Sequence, residues 1–231
     1  MPNRIKTFPM AQVLPGGFHM PTRMTALPLA DGGLALVSPI RLNSELAAQV
    51  EEQGPVRFLI APNLLHHLYL AEAAERWPAA RVLAPRALRA KRPDLRIDAD
   101  LEDALPPELT STVRVAKIEG APSVDEFAFF HEPSRTVVVT DLLFHITAPK
   151  GFVAHVTLWL VGCHGKLGQS RAWRIFVKDR ALAARSARTL LAWPFNTVIL
   201  AHGEPIESDA PARLEQALRW MTSGDGLRAP Q

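Results

Sequence analysis

The order of strand-like and helix-like segments constrains the fold of this chain more than any other feature of its sequence. Two apolar runs, residues 24–30 and 34–37, flank the turn sequence Asp31-Gly32-Gly33 and predict a β-hairpin. A strand–helix–strand alternation follows, then three strand-like runs in succession, then helix, strand and helix. Because strand runs are adjacent at the start and again in the middle, this order favours two packed sheets with helices outside. We therefore predict an α/β chain folded as an αββα sandwich rather than a doubly wound parallel sheet.

The individual elements are predicted from apolar periodicity and from proline, glycine and capping residues. Residues 1–22 predict an irregular lead-in, because they contain Pro9, Pro15, Gly16, Gly17 and Pro21. No linker rich in Gly or Ser divides the chain, so we expect one domain over residues 1–231. One predicted helix begins at Asn43 or Ser44, and the other predicted helices cover residues 68–77, 171–191 and 211–221. The further predicted strands cover residues 56–61, 81–84, 113–118, 126–130, 136–140 and 197–201.

Composition excludes several classes of protein. Hydrophobic residues make up 48% of the 231 residues and charged residues 21%, which is enough to bury a core and argues against disorder. The net charge of +3 is too small to imply a nucleic-acid partner. Cys163 is the single cysteine, so no internal disulfide can form. We find no signal peptide and no apolar stretch of membrane-spanning length, and expect a cytoplasmic protein with no membrane association.

Histidine and aspartate residues stand at the ends of three predicted strands. His66 and His67 come after the first of these strands, Asp141 directly after the second and His202 directly after the third. Open α/β folds place their sites at strand ends, and imidazole and carboxylate groups suit Zn, Fe or Mn. Taken alone, each residue is more often a hydrogen-bonded structural histidine or a turn aspartate. Their joint occurrence favours a metal site.

Several segments resemble the metal-binding segments of the metallo-β-lactamase superfamily. Residues 61–72, Ala-Pro-Asn-Leu-Leu-His-His-Leu-Tyr-Leu-Ala-Glu, resemble the stretch in which that family has His-x-His-x-Asp-His at the start of a helix. Residues 140–144, Thr-Asp-Leu-Leu-Phe, resemble its Gly-Asp-Thr-Leu-Phe segment, whose Asp bridges two metals. Residues 201–203, Ala-His-Gly, resemble its late Gly-His-Gly segment, and residues 119–122, Glu-Gly-Ala-Pro, fall where the family has Pro-Gly-His-Thr.

The order and spacing of these segments agree with the family over residues 24–221. The local pattern is most similar to a branch of the superfamily without an assigned function, which has Pro-Asn-x-x-His-His in place of the usual motif. The resemblance implies an αββα sandwich of the metallo-β-lactamase type. It also implies that the first of the family's two metal sites is lost, because Pro62, Leu64 and Ala121 stand where that site has histidines.

The second metal site is nearly intact by the same resemblance. His67 and His202 stand at ligand positions, Asp141 stands at the bridging position, and His66 replaces an aspartate ligand. The resemblance therefore implies one divalent ion, Zn, Fe or Mn, with His66, His67, Asp141 and His202 as its ligands. Three imidazoles and one carboxylate could close a tetrahedral site or hold a metal with an open position.

One metal could still activate a water molecule for attack on an ester, amide or phosphoester. The leading expectation is therefore a mononuclear metal-dependent hydrolase with a small-molecule substrate, and Asp141 and His145 are its candidate catalytic residues. If Asp141 opens a helical turn, His145 lies on the same face and would be an extra ligand or a proton shuttle. The alternative is that His145 is a surface histidine or supports the site. Residues 151–168 carry several glycines and are expected to form a flexible flap over the substrate.

Three other functions stay open. The chain could be a catalytically inactive member of the family that acts as a binding module. A phosphodiesterase or nuclease would use the basic residues of segment 86–96, but acidic residues follow directly and aromatic residues are absent, which favours a solvated loop over contact with nucleic acid. A cysteine hydrolase would use Cys163 and His164, although sequence neighbours rarely form a nucleophile–base pair.

Overall fold

Two β-sheets pack face to face in this protein, and helices cover both outer faces. The structure is a computed structural model that describes residues 4–14, 18–149 and 151–223. The two packed sheets and the helices outside them confirm the αββα sandwich predicted from the sequence. Apolar side chains form one core between the sheets and further cores beneath the two helical layers.

The first sheet combines an antiparallel start with a parallel remainder. Its described strands are β1 Lys6–Leu14, β2 Phe18–Pro28, β3 Leu34–Val37, β4 Val56–Ile60, β5 Arg81–Ala84 and β6 Ala99–Asp100, in that spatial order. β1, β2 and β3 pair antiparallel, and β3 to β6 pair parallel. The change of direction follows from the connections: the short turn between β2 and β3 reverses the chain, whereas helical crossovers return it in the same direction.

The second sheet contains the strands β7 Val113–Ile118, β8 Glu126–His131, β9 Thr136–His145 and β10 Thr197–Gly203. Their spatial order is β10-β9-β8-β7. β7, β8 and β9 pair antiparallel, and the last strand, β10, joins the edge of the sheet parallel to β9. The carboxyl ends of β9 and β10 therefore lie side by side.

The helices divide between the two outer faces. They are α1 Ser44–Glu51, α2 Leu70–Arg76, α3 Ala87–Lys91, α4 Pro107–Thr110, α5 Phe152–Val161, α6 Arg171–Phe176, α7 Arg180–Leu191 and α8 Ala210–Thr222. α1, α2 and α3 pack on the first sheet, and α6, α7 and α8 pack on the second. Within the described ranges, no helix is long and apolar enough to cross a lipid bilayer.

Strand alternation explains the two-sided burial of the first sheet. In β3, Leu34 and Leu36 pack under the helices, whereas Ala35 and Val37 face the second sheet. All four side chains are buried. A strand covered on both faces reads as a continuous apolar run, which is the pattern of residues 34–37.

The prediction of an irregular lead-in over residues 1–22 is wrong for the residues that the structure describes. β1 and β2 pair over nine residues each, from Lys6 opposite Ala26 to Leu14 opposite Phe18. Pro9 is tolerated because β1 is an edge strand with one neighbour. Pro21 lies in a part of β2 that extends beyond β3. Pro15, Gly16 and Gly17 lie outside the described residues.

The long helix predicted over residues 171–191 is divided into two helices. α6 ends at Phe176, and α7 begins after Asp179, whose carboxylate accepts a hydrogen bond from the Leu182 amide. The amides of Lys178 and Asp179 both donate to the Gly120 carbonyl oxygen. An aspartate that caps a helix and two amides drawn to a neighbouring loop interrupt the helical pattern.

Residues 151–168 contain a helix instead of the expected glycine-rich flap. α5 packs on Phe144 and Ile146, while Trp159 and Leu160 remain exposed. Cys163 is fully buried beneath this helix, and burial raises the pKa of its thiol to about 11. A thiol in this state is a poor nucleophile, so the structure does not favour the cysteine-hydrolase alternative.

Gly203 is a conformational constraint at the end of β10. Its φ is +104°, and a Cβ atom there would overlap the carbonyl oxygen of His145 in the neighbouring strand. We expect Gly203→Ala to lower the free energy of unfolding by more than about 2 kcal/mol, measured by urea denaturation. Gly32→Ala is the matched control, because Gly32 also has a positive φ but open space around it, and should cost about 1 kcal/mol. Equal losses in the two variants would contradict the close approach.

His131 joins the two sheets through a buried imidazole. Its Nε2 lies 3.0 Å from the Pro28 carbonyl oxygen, and its Nδ1 lies 2.7 Å from the Ser134 hydroxyl. Burial lowers the pKa of His131 below its ordinary value of 6.5. An unfolded chain therefore binds a proton at this position before the folded protein does, so the stabilisation is complete above pH 6.5 and is lost as the pH falls.

We expect the free energy of unfolding to fall less steeply in His131→Gln than in the unmodified protein between pH 7.5 and pH 5. Urea denaturation at a series of pH values measures both slopes, and the difference between them isolates this imidazole from the other histidines. Parallel slopes would show that His131 does not titrate differently in the two states.

Candidate metal centre

Three side chains from separate parts of the chain meet at one edge of the sandwich. His66 lies in the connection between β4 and α2, Asp141 in β9 and His202 in β10. The two Nε2 atoms of His66 and His202 are 3.0 Å apart, and each lies 3.3 Å from an oxygen of Asp141. Among the described residues, this is the one group of three or more potential metal ligands whose donor atoms all lie within 4.8 Å of one another.

An irregularity in the pairing of β9 with β10 positions two of these groups. Val139 pairs with Leu200, and the next pair is Phe144 with His202, so β9 has four residues where β10 has one. Such a bulge redirects side chains and often borders functional sites. The sequence predicts that Asp141 and His202 follow their strands, whereas both lie within them.

The ring nitrogens that face away from the group are held by the protein. His202 Nδ1 lies 2.8 Å from the Pro21 carbonyl oxygen and donates to it. His66 Nδ1 lies 2.7 Å from the Ser38 hydroxyl. Partners of this kind orient histidine ligands and select the tautomer whose Nε2 carries the free lone pair. Ser38 itself has a φ of 58°, a strained conformation for a residue with a side chain.

Asn63 connects the loop before α2 to the middle of β9. Its Nδ2 donates to Asp141 Oδ2 at 2.7 Å and to the Thr140 hydroxyl at 3.1 Å. Its Oδ1 accepts from the amides of Leu65 and His66 at 2.8 Å and 2.7 Å. The side chain is fully buried, so one amide orients both the carboxylate and the backbone that carries His66.

The charges of the group depend on one another. Burial disfavours an ionised Asp141, but the two facing imidazoles hold the pKa of its carboxyl well below the usual range. Burial likewise disfavours a protonated His202, yet the contact with Asp141 raises the pKa of His202 above its ordinary value. The site therefore keeps a carboxylate and accommodates positive charge next to it, whether as a proton or as a cation.

Glu126 lies behind the carboxylate of the group. It is fully buried, its Oε1 accepts from the Thr140 amide at 2.8 Å, and its Oε2 has no hydrogen-bond partner among the described residues. Burial and the nearby charge of Asp141 raise the pKa of Glu126 to about 8. Burial and the neighbouring carboxylate therefore both favour the protonated form of Glu126.

A cavity of about 290 Å³ opens above the three side chains. Most of its wall is apolar, with Met20, Ile40, Leu65, Leu68 and Phe144 among the lining residues. The ring of Phe144 stacks on that of His202 at a centroid distance of 4.8 Å. In the described part of the chain no lysine or arginine lines this cavity.

The structure does not bring His67 to the group. His67 Nδ1 accepts a hydrogen bond from the Arg92 guanidinium at 3.1 Å. Burial and the neighbouring cations Lys91 and Arg92 lower the pKa of His67. This imidazole is held by Arg92, the residue that follows α3, and not by the group around Asp141.

His145 is also separate from the group. Residues 141–145 continue strand β9 and do not form the helical turn that would place His145 beside Asp141. His145 Nδ1 donates to the Glu204 carbonyl oxygen at 2.9 Å, and its Nε2 accepts from Arg213 at 3.1 Å. The expected role of His145 as a ligand or proton shuttle has no geometric support here.

The positions that the resemblance assigns to a first metal site are apolar and buried. Leu64 packs in the core under α2, and Ala121 packs in the core under α7. The Pro62 carbonyl oxygen accepts the Phe127 amide, and the Leu64 amide donates to Val124. Core packing and backbone hydrogen bonds occupy the space in which a second ion would need ligands.

Solved structures provide the comparison for this architecture. The metallo-β-lactamase from Pontibacter korlensis has 14% sequence identity, a TM-score of 0.64 and coverage of 94% of each chain. The metallo-β-lactamase from Hirschia baltica has 13% identity and a TM-score of 0.62, over 94% of this chain and 93% of that one. This chain has the metallo-β-lactamase fold. FIM-1 from Pseudomonas aeruginosa, solved in a mono-zinc form, shares this fold at 13% identity and a TM-score of 0.59, over 94% and 92% of the two chains.

Sequence comparisons add no closer assignment. No family profile matches the chain, and no curated protein matches it. The likeness to the metallo-β-lactamases is therefore a likeness of fold, and the site must be judged from its own atoms.

The donor atoms of the group fit a divalent metal ion. A tetrahedral zinc ion with Zn–N distances of about 2.0–2.1 Å places two nitrogen ligands about 3.3 Å apart. The observed separations of 3.0 Å and 3.3 Å are close to this value. Two imidazoles and one carboxylate leave a fourth position free, as in catalytic zinc sites.

Sequence reasoning identified His66, Asp141 and His202 but missed the residues that hold them. Asn63 lies within residues 61–72, and an asparagine after a strand is a signal for a local backbone contact. Glu126 had a signal as well, since it begins an otherwise apolar strand-like run. Ser38 had none, because its contact with His66 joins residues 28 positions apart.

Asn63 should therefore be more important for stability than an exposed asparagine. We expect Asn63→Ala to lower the free energy of unfolding by about 2–4 kcal/mol, because it leaves buried polar groups without partners. Asn43→Ala is the control: the Asn43 side chain makes one exposed cap contact with the Leu46 amide and should cost about 1 kcal/mol. Urea denaturation of both variants checks this, and similar losses would contradict the central position of Asn63.

Proposed function

We propose that this chain is a mononuclear metal-dependent hydrolase that acts on a small, largely apolar substrate. The observation that carries the proposal is the convergence of His66, Asp141 and His202 at the floor of a cavity. Both imidazoles have their outward nitrogens fixed by protein groups, which is the arrangement of histidines in metal centres. The metallo-β-lactamase fold agrees with this proposal.

A divalent ion at this site would supply a Lewis acid that polarises a carbonyl oxygen and lowers the pKa of a water molecule. The residues of the chain supply the geometry. Pro21 and Ser38 orient the two imidazoles, and Asn63 fixes one oxygen of Asp141. Phe144 covers one face of His202 and limits the access of bulk water to it.

The lining of the cavity supports a substrate with an apolar, uncharged part. Apolar side chains dominate the wall, and no lysine or arginine among the described residues is available to bind a carboxylate or a phosphate there. Tyr69 donates to Gln12 at 2.6 Å, so the polar rim is already hydrogen-bonded internally. A volume of about 290 Å³ is at the lower end of small-molecule sites. Esters or amides of short acyl groups fit this description.

A catalytically inactive binding module is the second candidate. One observation favours it: the two Nε2 atoms and the Asp141 oxygens lie within hydrogen-bond distance of one another, so a proton could take the place of a metal. In that case the cavity would bind a small molecule without converting it.

A phosphodiesterase or nuclease has less support. Most cations of the basic segment pair with carboxylates nearby in sequence: Arg86 and Arg89 with Asp100, Arg92 with Asp94 and Arg96 with Asp98. Lys91 donates to the Leu64 carbonyl oxygen. Cations neutralised in this way offer little to a phosphate backbone.

The metal content of the purified protein tests the proposal. We expect about one equivalent of zinc, iron or manganese by plasma mass spectrometry, lost in His66→Ala and in His202→Ala. His67→Ala is the matched control, since His67 contacts Arg92 and not the group, and should retain the metal. Hydrolysis of neutral short-chain esters should depend on the bound metal: a chelator should abolish the activity and added metal ion should restore it.

Each other outcome has a definite meaning. Loss of metal in His67→Ala but not in His66→Ala would replace the proposed ligand set. A metal-free parent protein, even after incubation with zinc, iron and manganese salts, would remove the hydrolase and leave the binding module. Bound metal without hydrolysis of esters or amides would make the centre structural.

A further inference from the structure

A second, larger cavity lies on the other side of β9 from the candidate metal centre. It has a volume of about 510 Å³ and is bordered by residues 162–169, α6 and α8. Neighbouring residues of a strand point to opposite faces, so Phe144 lines the cavity over the metal centre and His145 lines this one. None of its lining residues belongs to the group around Asp141.

The charge of this second cavity has one sign. Lys166, Arg174 and Arg213 line it, and no aspartate or glutamate among the described residues does. No described carboxylate lies within ion-pair distance of any of these three side chains, in contrast to the basic segment near α3. Three cations directed to one space without a counter-ion favour the binding of an anion.

Two of the cations are positioned by contacts that leave their charge available. Arg213 Nη2 donates to His145 Nε2 at 3.1 Å, and this acceptor exists because His145 donates its Nδ1 hydrogen to the Glu204 carbonyl oxygen. The guanidinium of Arg174 lies over the ring of Trp220 at 5.4 Å. Both contacts orient the guanidinium without neutralising it, and further N–H groups remain free to donate.

A buried amide forms part of the wall of this cavity. Gln169 lines the same cavity and is 3% exposed, yet its Oε1 has no hydrogen-bond partner among the described residues. Its Nε2 donates to the Met221 sulfur at 2.9 Å, a weak acceptor. This oxygen is enclosed by protein atoms, so it belongs to the wall of the cavity and is not open to a ligand there.

We propose that this second cavity binds a soluble phosphate monoester. The phosphate oxygens accept hydrogen bonds from Arg174, Arg213 and Lys166, and guanidinium groups match the geometry of a phosphate. The volume exceeds that of a phosphate ion and leaves room for the organic part of the monoester. This site is independent of the metal centre and of the hydrolysis proposed there.

Isothermal titration calorimetry of the full chain tests the proposal, with inorganic phosphate and glycerol 3-phosphate as probes and glycerol as the uncharged comparison. We expect saturable binding of both anions, tighter for glycerol 3-phosphate, and none for glycerol. Arg213→Gln and Lys166→Gln should each weaken binding about tenfold, because each removes one charge-assisted hydrogen bond.

Arg185→Gln is the matched control for net charge, since Arg185 is an exposed residue of α7 outside the cavity lining. It should bind the probes as the unmodified protein does. Lys166 is exposed as well, so its variant should fold normally, and circular dichroism checks each variant. Absence of binding by the parent protein, or equal weakening in Arg185→Gln, would overturn the proposal. Equal affinity for the two anions would overturn the assignment of the remaining volume to an organic group.

Discussion

The parallel pairing of β10 with β9 is the interaction on which both sites of this protein depend. It joins the last strand of the chain to a strand formed about sixty residues earlier, and brings His202 beside Asp141. Its irregularity accommodates four residues of β9 against one of β10, so that Asp141 turns toward the imidazoles. The close approach of Gly203 to the His145 carbonyl oxygen completes the pairing and excludes any side chain at that position.

The same pairing separates two chemical environments by the thickness of one strand. Phe144 faces an apolar cavity above a carboxylate and two imidazoles, whereas His145 faces a cavity lined by cations. Because Phe144 and His145 are joined by one peptide bond, a shift of the backbone that moves one ring also moves the other. This arrangement keeps the cations away from His66, Asp141 and His202, where their charge would oppose that of the proposed divalent ion.

Much of the fold could be predicted from local sequence, because the hairpin at Asp31-Gly32-Gly33 and the apolar runs of the later strands have local causes. The predictions of secondary structure are wrong where contacts between residues distant in sequence determine the conformation. The sequence does not predict β1, because prolines are typical of irregular backbone, and they are tolerated here since β1 lies at the edge of its sheet. The break before α7 depends on two amides that donate to the Gly120 carbonyl oxygen. Neither the edge position of β1 nor the contact with Gly120 can be recognised from the local sequence pattern.

The same distinction holds for the site. Residue type and position at strand ends were sufficient to select His66, Asp141 and His202. They could not separate His66 from His67, because adjacent histidines have the same local sequence and differ in distant partners: Ser38 for one, Arg92 for the other. The prediction for His145 is wrong for a related reason. Residues four apart share one face of a helix, so His145 would lie beside Asp141 in a helical turn, but residues 141–145 belong to strand β9.

The buried position of Cys163 has a practical consequence. The chain has one thiol, and burial raises its pKa to about 11, so at neutral pH it is almost entirely protonated and inaccessible to alkylating reagents. A cysteine engineered at an exposed helical position would then be the one site that reacts with a maleimide. Fluorescent or spin labels can therefore be attached without first replacing the native cysteine, which leaves the packing between α5 and β9 undisturbed.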